Sequence, residues 1–226
     1  MCSDKVLEFG RRHILPGDVV NKDVLEVGSR VVQDPSLTLR HHVTSLGPRR
    51  YWGVDIIDGY GVDEICSAEA AVDRFGEESF DLVIATELLE HVQDWWTVVS
   101  ALKRLLRTGG VLLVTTRSEG FPYHGWPEDH WRYSVDDIAT IFSDLRIESL
   151  EPDPKEPGVF LKARKGVDFV EHRPNLALYS IILGRRSPNV SVLRRKLFVS
   201  RYGLRYGIPP RLPTRVRATL RRALGR

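Results

Sequence analysis

Short apolar runs and helical patterns alternate along most of this 226-residue chain, and no other feature constrains its fold as much. Runs at residues 24–27, 51–54, 62–66, 80–85 and 111–116 have strand length and are apolar at consecutive positions, which predicts a sheet covered by helices on both faces. The intervening helices are also legible. Asp94 precedes Trp95, Val98, Val99, Leu102, Leu105 and Leu106, a stripe at helical spacing that predicts a helix stopping at Thr108-Gly109-Gly110. Ser134-Val135-Asp136-Asp137 predicts a capping box that opens a helix running to Phe142. Two further apolar segments, 145–150 and 158–165, are joined by a Pro-containing connection short enough for an antiparallel hairpin that closes the sheet.

Charge divides the chain differently. Residues 1–171 carry all 30 acidic residues and 19 of the 33 Lys and Arg, a net −11, whereas 172–226 carry the other 14 and no acid. An acidic body with a cationic extension predicts a polyanionic partner. In that extension Leu193, Leu197, Phe198 and Val199 lie among Arg194, Arg195, Lys196 and Arg201, and residues 214–224 repeat the pattern, so an amphipathic segment is expected. An anionic membrane surface, met through residues 186–226, is the favoured partner, with nucleic acid second. With 42% hydrophobic and 28% charged residues the chain is expected to bury a core. No apolar run approaches the roughly 20 residues that cross a bilayer, so the expected location is the cytoplasm, with peripheral contact at the inner face of the membrane. Cys2 and Cys66 make no disulfide framework, and no His, Cys or carboxylate cluster has metal-ligand spacing, so no metal is expected.

The chemistry concentrates at strand ends. Val24-Leu25-Glu26-Val27-Gly28-Ser29-Arg30 is a strand that runs into a glycine turn, where backbone can approach a ligand closely. Residues 28–33 hold one glycine only, and no phosphate-loop pattern occurs anywhere, so nucleotide phosphates are not the expected ligand. Asp55, at the end of Tyr51-Trp52-Gly53-Val54-Asp55 and about 25 to 30 residues past that glycine, can accept hydrogen bonds from ribose hydroxyls. Glu26 adds a carboxylate for an ammonium group. Acidic strand ends without a phosphate cradle suit a cationic nucleoside.

Those stretches, with Gly61-Val62-Asp63, Cys66-Ser67-Ala68-Glu69 and Phe80-Asp81-Leu82-Val83-Ile84-Ala85-Thr86-Glu87-Leu88-Leu89-Glu90-His91-Val92, resemble the class I S-adenosylmethionine-dependent methyltransferases over roughly residues 20–165. The resemblance implies a seven-stranded Rossmann-like α/β sheet, mostly parallel with an antiparallel final hairpin, and the change in charge after Glu171 divides the chain into a cofactor-binding domain at 1–171 and an arginine-rich extension at 172–226. It implies S-adenosyl-L-methionine as cofactor, with Glu26 and Gly28 framing the methionine portion, Asp55 the ribose, Ser67 and Ala68 the adenine edge, Thr86, Glu87 and Leu88 the opposite face, and Ser29 and Ile56 as further cofactor-binding residues. Many relatives have Asp where Ser67 stands, so adenine recognition here falls to a hydroxyl or backbone group.

Amino-methylating relatives acting on nucleobases carry an Asn/Asp-Pro-Pro-aromatic motif after the fourth strand, and Ala85-Thr86-Glu87-Leu88 has none of it. Oxygen methylation of a saccharide, glycolipid or related small molecule is therefore the expectation. The loop from Arg117 to Tyr133 resembles a segment of bacterial methyltransferases linked to polysaccharide and glycolipid assembly. There His124, oriented by Asp129, is the candidate base, with His91 second, and Arg117, Tyr123, Trp126, Trp131 and Arg132 are candidate acceptor contacts. An RNA methyltransferase that grips phosphates with its extension, and a cofactor-binding scaffold without turnover, are the rival readings.

Overall fold

The computed structural model describes residues 3–32, 34–36, 38–124 and 128–205. In chain order the elements are α1 (Asp4–His13), α2 (Pro16–Val19), β1 (Asp23–Val27), α3 (Arg40–Ser45), β2 (Arg50–Asp55), β3 (Glu64–Ile65), α4 (Ala71–Phe75), β4 (Phe80–Thr86), a 3-10 turn (Leu89–His91), α5 (Trp95–Leu105), β5 (Leu106–Arg117), β6 (Trp131–Arg132), α6 (Val135–Ile141), β7 (Arg146–Pro152), β8 (Gly158–Arg164), β9 (Leu178–Ser180), β10 (Arg185–Ser187) and α7 (Val192–Arg205).

The main sheet has seven strands in the order β3-β2-β1-β4-β5-β8-β7. The five strands from β1 to β5 run parallel, and β8 lies antiparallel between β5 and β7. This is the Rossmann-like methyltransferase sheet expected from the sequence, including its closing hairpin. The chain first builds outward from β1 to β3, then returns to lay β4 on the other side of β1. That reversal leaves a crevice at the carboxyl ends of β1 and β4.

Strands β1 and β4 are almost entirely buried, as two-sided coverage requires. Val24, Leu82, Ile84, Val111 and Leu113 form one face with Val6, Leu7 and Phe9 of α1 and Val43 of α3. The alternate residues Leu25, Val83 and Leu112 point to the opposite face, on which α5 packs. Asp94 caps α5 by accepting from the Thr97 amide at 3.3 Å, and Trp95, Val98, Val99, Leu102 and Leu105 are its buried stripe. The helix ends at Leu105, before the predicted Gly109 stop, because Leu106 already pairs with Phe80 in the sheet. The capping box of α6 is present: Asp137 N donates to Ser134 Oγ at 3.1 Å and Ser134 N to Asp137 Oδ2 at 2.9 Å.

Two features go beyond the sequence expectation. The third strand pairs only over Glu64–Ile65, flanked by the Asp63 and Cys66 amides on the Gly53 and Asp55 carbonyls at 2.8 and 2.9 Å, while the Asp63 carboxylate accepts from the Gly53 amide and the Arg40 guanidinium. A second, three-stranded antiparallel sheet, β10-β9-β6, ties Trp131 to Ser180 and Arg132 to Tyr179. The compact unit accordingly extends past Glu171 to Pro188, since main-chain pairing ignores the change in charge composition there. The second unit begins at Asn189 and contains α7; residues 214–224 lie outside the described part. Among the described residues no helix is long and apolar enough to cross a membrane.

The fully buried Leu113 tests this layering. Leu113→Ala should lower unfolding free energy by about 2–5 kcal/mol in a denaturant titration. A loss below about 1 kcal/mol would mean that this face can collapse around the missing atoms.

Candidate functional site

A cavity of about 240 Å³ opens at the crevice between β1 and β4. Its wall includes the predicted Glu26, Gly28, Ser29, Asp55, Ile56, Thr86, Glu87 and Leu88, together with His91. Three strand ends therefore converge as the sequence implied. Gly28 turns the chain out of β1 with φ +76, and a Cβ there would sit 3.1 Å from Leu88 Cδ1. The backbone conformation favours glycine, and the leucine above it leaves little room for a side chain.

Each acidic side chain has its own environment. Glu26 is buried at the end of β1, where its direct hydrogen-bond donor is the Tyr51 hydroxyl. Burial pushes its pKa up to about 7, partly offset by that bond and by the nearby Arg40 charge. Asp55 is half-buried; its Oδ1 accepts from Ile57 N at 3.0 Å and its Oδ2 from Arg30 N at 3.3 Å. Each oxygen keeps a lone pair for a further donor. Glu87 sits in the left-handed region with φ +53, held by its amide on the Thr115 carbonyl at 2.9 Å and by Thr115 Oγ1 on its carboxylate at 2.9 Å. Burial and the neighbouring Glu90 raise its pKa to about 7, against the Arg117 guanidinium with which it forms an ion pair.

These residues suit a cationic nucleoside. One buried carboxylate faces the cavity, a second offers paired acceptors, and the buried Ser29 hydroxyl has no hydrogen-bond partner among the described residues. Ser67 and Ala68 do not line the cavity, although the Cys66 amide bonds the Asp55 carbonyl at 2.9 Å. The Ser67 hydroxyl accepts from the Ala70 amide at 3.3 Å, which fixes the turn into α4. The sequence reading missed Arg30, Val31, Val32, Asp34 and Thr38, which line the cavity from the segment after β1. That segment has no periodicity that would have marked it.

The loop after β5 separates the candidate acceptor residues. His124 and Asp129 meet: Nδ1 lies 3.1 Å from Oδ2, and the His124 amide also donates to Oδ2 at 2.9 Å. Burial opposes ionisation of Asp129, but hydrogen bonds from Arg132 and His124 outweigh it and hold this carboxyl well below the usual range. The His91 ring stands 4.8 Å from that of His124, and its Nδ1 is 2.6 Å from the Glu128 carbonyl. Between the two imidazoles lies Glu90, fully buried, which sequence reasoning passed over because one residue in a conventional Glu-His-Val string gives no sign of burial.

Three of the expected acceptor contacts are buried and bonded within the protein. Arg117 is buried, paired with Glu87 and Glu156, and stacked over Phe121. Trp131 is buried with its indole N–H on the Gln93 carbonyl at 3.1 Å. Arg132 donates to both Asp129 oxygens and to the carbonyls of Phe121, Pro122 and Trp131. In each case a long side chain satisfies loop carbonyls or buried carboxylates that would otherwise lack donors. Tyr123 is half-buried, and Trp126 lies outside the described residues.

A methyltransferase-domain family model matches residues 2–151. Over 116 residues the chain is 29% identical to the mitochondrial ubiquinone biosynthesis O-methyltransferase of Mus musculus, covering 50% of this chain and 28% of that protein. It is 24% identical over 115 residues to the ubiquinone biosynthesis O-methyltransferase of Parvibaculum lavamentivorans, covering 49% and 45%. The chain thus spans less than half the length of these curated relatives. Among solved structures, the Burkholderia thailandensis 1,6-didemethyltoxoflavin-N1-methyltransferase, with S-adenosylhomocysteine bound, superposes with a TM-score of 0.54 at 16% identity over 72% of this chain and 80% of that one. A family match across well over half of the sequence coincides with the family's strand order, and the chain belongs to the methyltransferase-domain family of S-adenosylmethionine-dependent class I enzymes.

Proposed function

We propose that the protein transfers the methyl group of S-adenosylmethionine to a hydroxyl oxygen of a small-molecule acceptor, in the saccharide, glycolipid or related class. The observation that carries this reading is the His124–Asp129 pair, set against His91, which itself lines the cofactor cavity. A carboxylate on Nδ1 fixes the imidazole tautomer and leaves Nε2 with a lone pair for the acceptor side. The half-buried Tyr123 lies in the same loop, and an aromatic side chain there suits a sugar ring. The O-methyltransferase names of the two curated relatives agree in kind.

The bound cofactor supplies an electrophilic methyl on a cationic sulfur. Glu26 holds the ammonium and Asp55 the ribose hydroxyls, with Gly28 leaving room for the backbone to approach. His91 in the 3-10 turn and His124 in the loop are the groups that align the acceptor oxygen with that methyl in this reading, so the protein's main task is alignment.

A second observation supports peripheral membrane contact. On α7, Leu193, Leu197 and Leu204 are 68%, 51% and 85% exposed and fall along one helical line, with Arg194 and Arg201 to one side and Lys196 to the other. Apolar side chains flanked by cations suit an anionic lipid interface, where each cation contributes on the order of 1 kcal/mol.

Three measurements test these readings. A free glutamate releases its proton near 4.5 and Glu26 near 7, so between those values the cavity carboxyl is neutral and an ammonium is held less well. Affinity for S-adenosylmethionine should therefore rise roughly tenfold from pH 6 to 8 in calorimetry, and Glu26→Gln should flatten the profile. His124→Asn should lower kcat by about 10²- to 10⁴-fold with cofactor affinity retained, measured on an acceptor found by fractionating labelled extract. Label recovered only in RNA or protein would overturn the small-molecule reading. Leu193→Asp with Leu197→Asp should abolish flotation with anionic vesicles; equal flotation of variant and wild type would remove the membrane role.

A further inference from the structure

Three acceptor atoms converge beside the cofactor cavity without a donor among them. Glu90 Oε1 lies 3.8 Å from His91 Nε2 and 3.9 Å from His124 Nε2, and the three atoms all fall within 4.8 Å of one another. Those separations are too long for direct hydrogen bonds. Glu90 is fully buried, and Oε1 has no hydrogen-bond partner among the described residues.

The outer atoms of the same three side chains are all anchored. His124 Nδ1 faces the Asp129 carboxylate at 3.1 Å, and His91 Nδ1 faces the Glu128 main-chain carbonyl at 2.6 Å. A carbonyl oxygen only accepts, so Nδ1 of His91 carries the proton and Nε2 presents its lone pair; the carboxylate imposes the same tautomer on His124. Thr116 Oγ1 donates to the other oxygen of Glu90 at 2.9 Å. Two imidazoles and one carboxylate, each oriented by a partner on its far side, make the arrangement that surrounds a bound metal ion.

We propose that Glu90, His91 and His124 bind a divalent cation of the zinc or manganese class, and that this cation receives the acceptor hydroxyl. The proposal rests on the O-methylation reading for the role of the ion, but not for its binding. A tetrahedral ion with bonds of about 2.0–2.2 Å sets neighbouring donor atoms about 3.4 Å apart, so the glutamate–histidine pairs need close by only several tenths of an ångström. Three protein ligands leave an open position, as sites that bind substrate do. His91 also lines the cofactor cavity, so an acceptor oxygen at that position stands beside the methyl donor. With Nε2 of His124 on the ion, the imidazole positions the cation rather than taking the proton itself. The cation lowers the pKa of the hydroxyl, whose proton passes to bulk water. The freed oxygen pair forms the bond to the methyl carbon, and the carbon–sulfur pair remains on sulfur.

The test uses the full chain, freed of metal by a chelator and dialysed, then titrated with Mn²⁺ under electron paramagnetic resonance and with Zn²⁺ in calorimetry. The expected result is one ion per chain, with nitrogen modulation of the Mn²⁺ signal from the imidazoles. Glu90→Gln and His124→Gln should each weaken binding by at least about tenfold, with S-adenosylhomocysteine affinity unchanged as the control for folding. Wild-type protein that binds neither ion, or a Glu90→Gln variant that binds as tightly as wild type, would overturn the proposal. Methylation of a hydroxyl acceptor at full rate in chelator would remove the cation and leave the O-methylation reading standing. Tight, Glu90-dependent ion binding in a protein that methylates no hydroxyl would keep the site and remove that reading.

Discussion

A carboxylate held inside the protein at the end of β1 is the constraint to which the rest of the site is fitted. Glu26 loses most of its hydration and keeps one hydroxyl donor, so burial pushes its pKa up to about 7 and an arriving cation favours the ionised form. At the other end of the same strand Asp23 is equally buried but meets Arg49, Arg107 and Arg50, and these hold its pKa down to about 2. The sheet thus holds a carboxylate matched by three arginines at the amino end of β1, and at the carboxyl end of the same strand a carboxylate whose direct donor is a hydroxyl. Such an arrangement destabilises the empty crevice slightly and makes it selective for a cationic ligand.

The neighbouring strand adapts to that carboxylate through backbone conformation. Glu87 adopts a left-handed φ, a position that costs a glutamate of order 1 kcal/mol or more, and Thr115 on β5 restrains it through main chain and side chain together. The turn brings Leu88 over Gly28, so the two strand ends that flank the topological reversal are packed against each other. The 3-10 turn that follows carries Glu90 and His91 directly to the loop bearing His124. One continuous piece of structure from Thr86 to His91 therefore joins the cavity to the cluster of Glu90, His91 and His124.

The loop after β5 shows how a charged, aromatic sequence can be mostly architecture. Its Arg132 and Asp129 neutralise each other in the interior, its Trp131 extends a small sheet with β9, and Tyr133 donates to the Leu89 carbonyl at 3.1 Å. Residue type alone could not separate these from His124, because arginine, tryptophan and tyrosine serve equally well as ligand contacts and as donors to buried carbonyls. Strands, capping residues and the glycine turn were legible for the opposite reason. Each depends on neighbours within a few positions, as the Asp94 cap on Thr97 and the Ser134–Asp137 box demonstrate.

What the amino-acid order determined by itself was the local and the periodic: the alternating elements, the turn at Gly28, the acidic strand ends at Glu26 and Asp55, and the cationic face of α7. Tertiary structure alone decided which distant groups meet. It brought Glu90 and His91 to His124, paired Arg117 with Glu87 and Arg132 with Asp129, and joined β9 to β6 across the change in charge at Glu171. The physical reason is that burial and lone-pair direction belong to a packed assembly of segments, and no single segment carries them.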